Sequence, residues 1–310
     1  MVATEKINYK QIKSPLNYIG GKGKVFDQIA PLFPKNIVQF VDLFVGGCNV
    51  GLNVKSEKLY CNDNLTYLIE MYQVFQLKPS NDIISYIENQ IKTFELSLTN
   101  EEGYKRLRKY YNQEKNSLDL FVLIAFSFNH QIRFNNSHEF NNPFGRDRSS
   151  FNANMKNNLL KFIHRIQQIN IDFFSKSFED FDFSILNEND FVYADPPYLI
   201  TTGTYNDGKR GFTGWGEKQE YQLLEILDNL HQKNIKFALS NVLEHKGKSN
   251  DILKKWTENN PNYKINHIDF NYSNANYQTL NRDKNASTEV LITNYVPENL
   301  SKKPLQQTLF

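Results

Sequence analysis

Apolar residues in this chain gather into short unbroken runs rather than the strict alternation of half-buried strands. Seven runs read as strands: 37–44, 58–61, 171–175, 190–194, 236–239, 263–270 and 289–294. Between several of them the period lengthens to that of helices, as in 23–32 and 218–233. Short strands apolar on both faces, alternating with helices, predict an α/β fold around a mainly parallel sheet. Such sheets hold their ligands beyond the carboxyl ends of the strands. The alternation breaks once. From about 65 to 170 the pattern is helical and then loop-rich, with an amphipathic stretch at 104–112, an apolar one at 118–128 and a polar loop at 129–154. That interval reads as a mainly helical insertion, giving a domain of 1–64 plus 171–310 interrupted by a second one of 65–170.

Composition narrows the class. At 310 residues, 40% hydrophobic and 23% charged, the chain is an ordinary globular one with room for a full core. It contains no apolar run of membrane-span length, and its first eleven residues lack the apolar centre of a secretory signal. Two cysteines, Cys48 and Cys61, are too few for a disulfide framework, so a reducing, cytoplasmic setting is expected. The six histidines show no metal-ligand spacing, and metal-free chemistry is expected. Net charge is only +2, but it is uneven. Residues 101–170 hold 11 Lys and Arg against 6 Asp and Glu, and the rest of the chain is net negative by three. A basic insertion on a slightly acidic frame suits a polyanion touched by one part of the protein; a solvated charged face gives the same bias.

The candidate chemistry sits in Asp195-Pro196-Pro197-Tyr198, directly after the apolar run Phe191-Val192-Tyr193-Ala194. Taken alone, the tetrapeptide is also a plain strand-ending turn. Functionally, it suits the activation of an aromatic amine. The exocyclic nitrogen of adenine is a poor nucleophile because its lone pair is delocalised into the ring. Two acceptors, the Asp195 carboxylate and the Pro196 carbonyl, would draw that pair back and stabilise the positive charge that builds on nitrogen. The two prolines fix φ and remove backbone donors, and Tyr198 offers a surface for stacking.

A second group of residues reads as a nucleoside site. Asp42-Leu43-Phe44-Val45-Gly46-Gly47 follows the first strand, and glycine such as Gly46 lets a ligand approach backbone closely. The turn is neither a dinucleotide fingerprint nor a phosphate loop. Asp63, at the end of the second strand, stands where an acid bonds ribose hydroxyls. A nucleoside site without a phosphate grip fits S-adenosylmethionine; ordinary solvated acids beside a tight turn are the plain alternative. Upstream, Tyr18 and Lys22 in Tyr18-Ile19-Gly20-Gly21-Lys22 could close over a small ligand.

In order along the chain, these pieces resemble the Dam-type DNA adenine-N6 methyltransferases. The matching segments are Tyr18 to Lys22, Phe40 to Gly47, Asn62-Asp63, Phe128 to Arg146, Asp190 to Tyr198, Tyr205-Asn206, Ser240 to His245 and Glu289 to Asn294. The resemblance implies a Rossmann-like methyltransferase sheet with an inserted DNA-recognition domain carrying a β-hairpin. It implies that Tyr18, Lys22, Asp42, Phe44, Gly46 and Asp63 line the cofactor pocket with Asp195. Ser177 and Phe178 would sit beside the cofactor adenine, and Tyr205 beside the active-site loop. In the insertion, Phe128, Asn129, Gln131, Arg133, Asn135 and Pro143 would meet DNA. Arg133 would read a guanine edge, Pro143 would contact a base, and Phe128 would wedge into the stack left by a flipped adenine. Arg146 and Arg148 would hold phosphates.

The expectation is therefore transfer of methyl from S-adenosylmethionine to adenine in duplex DNA, with GATC suggested as the site. A restriction endonuclease would be a genetic partner, not a physical one. Around Ser137 and 147–154 the chain departs from the family pattern, which leaves the exact site open. Cytosine-N4 methylation would use the same two acceptors, and a non-catalytic DNA-binding protein could keep the same fold. An RNA or protein-glutamine methyltransferase leaves the basic insertion unexplained, and a nuclease lacks its carboxylate–lysine metal cluster.

Overall fold

The computed structural model describes residues 11–201, 214–269 and 287–298. Eight strands form one sheet: β1 (Gln39–Asp42), β2 (Lys58–Asn62), β3 (Ile171–Phe174), β4 (Phe191–Ala194), β5 (Lys236–His245), β6 (Lys248–Ser249), β7 (Lys264–Ile268) and β8 (Ser287–Thr293). Their order is β3-β2-β1-β4-β5-β8-β7, with β6 paired to the end of β5. All seven expected runs contribute a strand. The sheet is mixed, with the expected parallel strands in the majority and an antiparallel end. β3, β2, β1, β4 and β5 run parallel, whereas β8 lies antiparallel to both β5 and β7. β5 also runs six residues past its expected end, because the returning β8 pairs with it as far as His245.

Adjacent residues of the central strands face opposite cores, so these strands are apolar through their middles and lack a polar face. Phe40, Phe191 and Tyr193 enter one apolar cluster, and Val41, Val192 and Ala194 enter the other. The second cluster is closed by α7 (Glu217–Gln232) and α8 (Asp251–Glu258). The first is closed by α1 (Phe26–Ile29) and by five helices between β2 and β3: α2 (Thr66–Leu77), α3 (Ser80–Thr93), α4 (Glu101–Glu114), α5 (Ser117–Phe126) and α6 (Ala153–Gln168). Asparagine starts several of these helices: Asn100, Asn116, Asn152 and Asn250 each accept a backbone N–H of the first turn.

The interval 65–170 does not have a core of its own. Its helices share one continuous core with the sheet. α5 is buried on every face, and Phe75 lies against Tyr72, Phe121 and Phe162, while Tyr72 also meets Phe173 of β3. The looped part of this interval folds back on itself through two single antiparallel bridges, Ser127 with Phe144 and Phe134 with Phe140. Among the described residues of this loop there is no regular hairpin ladder: a few backbone bonds cross it, such as Phe128 N to the Pro143 carbonyl and Asn141 N to the Arg133 carbonyl, and asparagine side chains supply others. Asn112 accepts from Phe140 N, and Asn142 donates to the carbonyls of Phe128 and Gln131. Because the helices and the sheet are one packed unit, Phe75→Ala should destabilise the whole protein by about 3–5 kcal/mol. Urea unfolding followed by far-ultraviolet ellipticity and by tryptophan emission should then keep one shared midpoint.

Candidate active site and nucleic-acid interface

The carboxyl ends of β1, β2, β3, β4 and β5 lie side by side, and the turns after the first four carry Phe44, Gly46, Asp63, Ser177, Phe178 and Asp195. Asn62, at the end of β2, joins its neighbours: its Nδ2 donates to the carbonyls of Leu43 and Lys176, and its Oδ1 accepts from Lys176 N. The turn after β1 is held by Asp63, whose Oδ2 accepts Gly46 N at 3.0 Å and whose Oδ1 accepts Leu65 N at 3.0 Å. Gly46 has φ +43°, and a Cβ there would lie 2.8 Å from the Tyr18 ring, so only glycine admits that packing. The Tyr72 hydroxyl donates to the Gly46 carbonyl from below. Cys48 and Cys61 pack beneath the same turn, with their sulfurs 3.8 Å apart.

Asp195 stands at the mouth of β4. Lys22 Nζ lies 2.8 Å from its Oδ1, and the Tyr198 hydroxyl donates to the same oxygen at 3.1 Å. Lys22 is itself buried, donates to the Gly20 carbonyl at 2.7 Å and lies 5.1 Å from the Tyr198 ring centre. The lysine expected in the cofactor pocket is thus the direct partner of the candidate catalytic carboxylate. Burial raises the Asp195 pKa, while the Lys22 charge and the Lys22 and Tyr198 hydrogen bonds oppose that rise. Pro196 is buried and Pro197 exposed. Asp42, in β1, accepts Gly51 N at 2.9 Å through Oδ2, and it is buried below the ledge rather than open to it. Burial lifts its carboxyl to about 7, reinforced by the nearby Asp195 and Asp63 charges and opposed by the Gly51 N–H.

Beside Asp63, aromatic rings form one wall. Phe44 and Phe178 are 5.5 Å apart between centroids, and Trp215 lies 5.6 Å from Phe44 and 5.3 Å from Phe178. Trp215 was not among the expected site residues; a tryptophan shortly after the active-site turn and just before a helix was its only trace in the sequence. The Ser177 hydroxyl donates to the Glu179 carboxylate within its own turn. Tyr205 lies outside the described residues. An apolar wall beside a carboxylate fits a nucleoside. Each Asp63 oxygen keeps a second lone pair after its backbone bond, so it can still accept a ribose hydroxyl. Among the described residues no group of acids, histidines or cysteines could hold a metal ion, and no helix is long and apolar enough to cross a membrane.

The loop 127–146 faces outward from the helices. Phe128 is 42% exposed, although it is a large apolar side chain. Behind it the backbone is tightly constrained: Asn129 and His130 both have positive φ, and buried Asn142 binds the carbonyls on either side of them. Arg148 covers the Phe128 ring at 4.9 Å and reaches Asn129 Oδ1. Arg133 and Pro143 are exposed, and Gln131 is half-buried. Asn135 turns inward on its own loop, accepting Ser137 N and Glu139 N and donating to the Glu139 carboxylate. Arg146 pairs with Glu101 at 2.8 Å on the surface, an exposed contact that an incoming phosphate can replace at little cost. Asn17 Nδ2 donates to the Asn129 carbonyl, joining the Tyr18–Lys22 segment to this loop.

Comparison with known proteins points one way. The family model described as D12 class N6 adenine-specific DNA methyltransferase matches residues 18–285. The chain is 54% identical over 286 residues to Modification methylase StsI of Streptococcus sanguinis, covering 92% of this chain and 43% of that protein. It is 51% identical over 284 residues to Type II methyltransferase M.FokI of Planomicrobium okeanokoites, again 92% of this chain and 43% of the relative. Against the DNA adenine methylase of Salmonella typhi it is 27% identical over 236 residues, 75% of this chain and 81% of the relative. The chain therefore spans less than half the length of the first two relatives.

Asp42 carries a pH signature. The unfolded chain releases the Asp42 proton in the ordinary carboxylate range, whereas the folded chain holds it to about 7. Stability should therefore fall as pH rises through that window and level off above it, by up to roughly 4 kcal/mol from this group. Asp42→Asn should remove that part of the slope. Urea midpoints of both proteins between about pH 5 and about pH 8 test it, and parallel curves would contradict it.

Proposed function

The chain belongs to the D12 class of N6 adenine-specific DNA methyltransferases, and we propose that it methylates adenine N6 in duplex DNA at a specific sequence. The observation that carries this reading is the Asp195 carboxylate, held at the end of β4 with Lys22 and Tyr198 both on Oδ1. Oδ2 is left for the substrate amine. S-adenosylmethionine, when bound against the Phe44–Phe178–Trp215 wall with its ribose on Asp63, supplies an electrophilic methyl group on sulfur. In this reading the sheet is a Rossmann-like methyltransferase sheet, formed by 1–64 and 171–310. The interval 65–170 is its target-recognition part.

The target adenine must leave the helix stack to reach Asp195. Phe128, exposed on its constrained loop, is shaped to fill the vacated space. Arg133 reads a guanine edge through its two-pronged guanidinium, and Pro143 makes apolar contact with a base. Arg146 and Arg148 hold phosphates and set the register. Once the base is seated, its amino group donates to Asp195 and to the Pro196 carbonyl, which return electron density to nitrogen. Held this way, the amine would present its lone pair to the donor's methyl group, and the surplus proton would pass from nitrogen to the Asp195 carboxylate and on to solvent. Asp195 can serve only while ionised, and Lys22 keeps it so against the pull of burial.

Protection of genomic DNA beside a restriction endonuclease, in the cytoplasm, is the setting that this activity suits. GATC is the recognition sequence suggested by the resemblance, and single-molecule sequencing of DNA from expressing cells assigns the site. Two variants test the chemistry. Asp195→Ala should lower transfer of tritiated methyl to duplex DNA by about 100- to 1,000-fold while S-adenosylhomocysteine still binds. Near-normal turnover in that variant would refute the assignment. Lys22→Met should let the Asp195 pKa rise further, so activity is lost at a higher pH as the solution is acidified. An acid limb identical to that of the unmodified enzyme would remove Lys22 from the mechanism.

A further inference from the structure

Behind the aromatic wall lies a buried carboxylate for which the proposed chemistry has no use. Glu220, in the first turn of α7, is 1% exposed. Its Oε2 accepts from Trp215 Nε1 at 2.7 Å, and its Oε1 accepts from Asn241 Nδ2 and Asn250 Nδ2, each at 3.0 Å. The three donors arrive from the segment entering α7, from within β5 and from the N-cap of α8. Both asparagines are oriented by their other ends: Asn241 Oδ1 accepts Val242 N, and Asn250 Oδ1 accepts Leu253 N. Burial raises the Glu220 pKa, and the three donors oppose it.

A buried charge of this kind is costly, and an apolar residue of similar volume would fill the space without that cost. What the carboxylate adds is direction. An indole has one polar hydrogen, so anchoring Nε1 to Oε2 fixes the plane of the Trp215 ring. That ring in turn meets both Phe44 and Phe178. On the far side, Asn241 follows Ser240, whose hydroxyl bonds the Tyr193 hydroxyl two residues before Asp195.

We infer that Glu220 is a positioning residue for the methyl donor: it sets the Trp215 indole, and Trp215 braces Phe178 and Phe44 as the wall against which the donor's adenosine packs. This rests on the assignment of S-adenosylmethionine to that ledge. Glu220→Gln replaces one acceptor oxygen with an NH2 that must face a donor. Trp215→Phe keeps an aromatic ring but removes the anchor, leaving both asparagine bonds in place.

Calorimetric titration of the full chain with S-adenosylhomocysteine, together with steady-state methyl transfer, tests this. Each variant should bind S-adenosylhomocysteine about tenfold more weakly, the cost of one charged buried hydrogen bond. KM for the donor should rise with it, kcat at saturating donor should change less, and affinity for duplex DNA should stay as in the unmodified protein. The double variant should be no weaker than Glu220→Gln alone, because in this role Glu220 acts on the donor through the Trp215 indole. Unchanged affinity in Glu220→Gln, additive losses, or a matching fall in DNA affinity would overturn the positioning role. If Glu220→Gln fails to fold, Trp215→Phe decides alone, and full affinity there overturns it. If the unmodified chain binds no S-adenosylhomocysteine, the cofactor assignment fails and this inference fails with it. Tight binding by the unmodified chain and both variants sinks only the inference.

Discussion

A carboxylate that must stay charged while buried needs a cation that cannot move away. The contact between Lys22 and Asp195 meets that need, and much of the site is arranged around it. Lys22 is tethered by the Gly20 carbonyl, so its ammonium is placed before any ligand arrives. Asp42 and Asp63 raise the local negative potential, and each is quieted differently: Asp42 by a pKa lifted to about 7, Asp63 by two backbone N–H donors. The three acids can lie close together because Asp42 sits below the ledge and Asp63 is held by backbone donors.

The sheet provides the precision for this. β1 and β4 are buried on both faces, so neither strand can shift without disturbing two cores. The helices between β2 and β3 extend one of those cores instead of forming a separate one. Their outward loop is therefore fixed relative to Asp195 by packed aromatic rings, with the Asn17–Asn129 bond as a direct tie. If, as proposed, a base leaves the duplex to reach Asp195, a rigid offset between this loop and that carboxylate is the useful property.

Most strands were legible because burial on two faces leaves an unmistakable apolar run, as in Phe191-Val192-Tyr193-Ala194, and the helical period of 218–233 marked α7. The tetrapeptide from Asp195 to Tyr198 was legible because its chemistry is local: a carboxylate, a carbonyl and a ring on consecutive residues. The antiparallel end of the sheet was not. β8 has an apolar run, Val290-Leu291-Ile292, like those of the parallel strands, and only its pairing with β5 and β7 sets its direction.

Residue order alone thus determined the α/β alternation and the helical interval after the second strand, and it put Asp195 and Pro196 forward as candidate acceptors. Tertiary structure decided which side chains meet. Lys22 and Asp195 are 173 positions apart, and Trp215, Glu220, Asn241 and Asn250 join three separate elements. Periodicity records how each residue faces its own strand or helix. Contacts between distant elements depend on how those elements stack, and that stacking is set by the combined packing of two cores, which no single stretch of sequence contains.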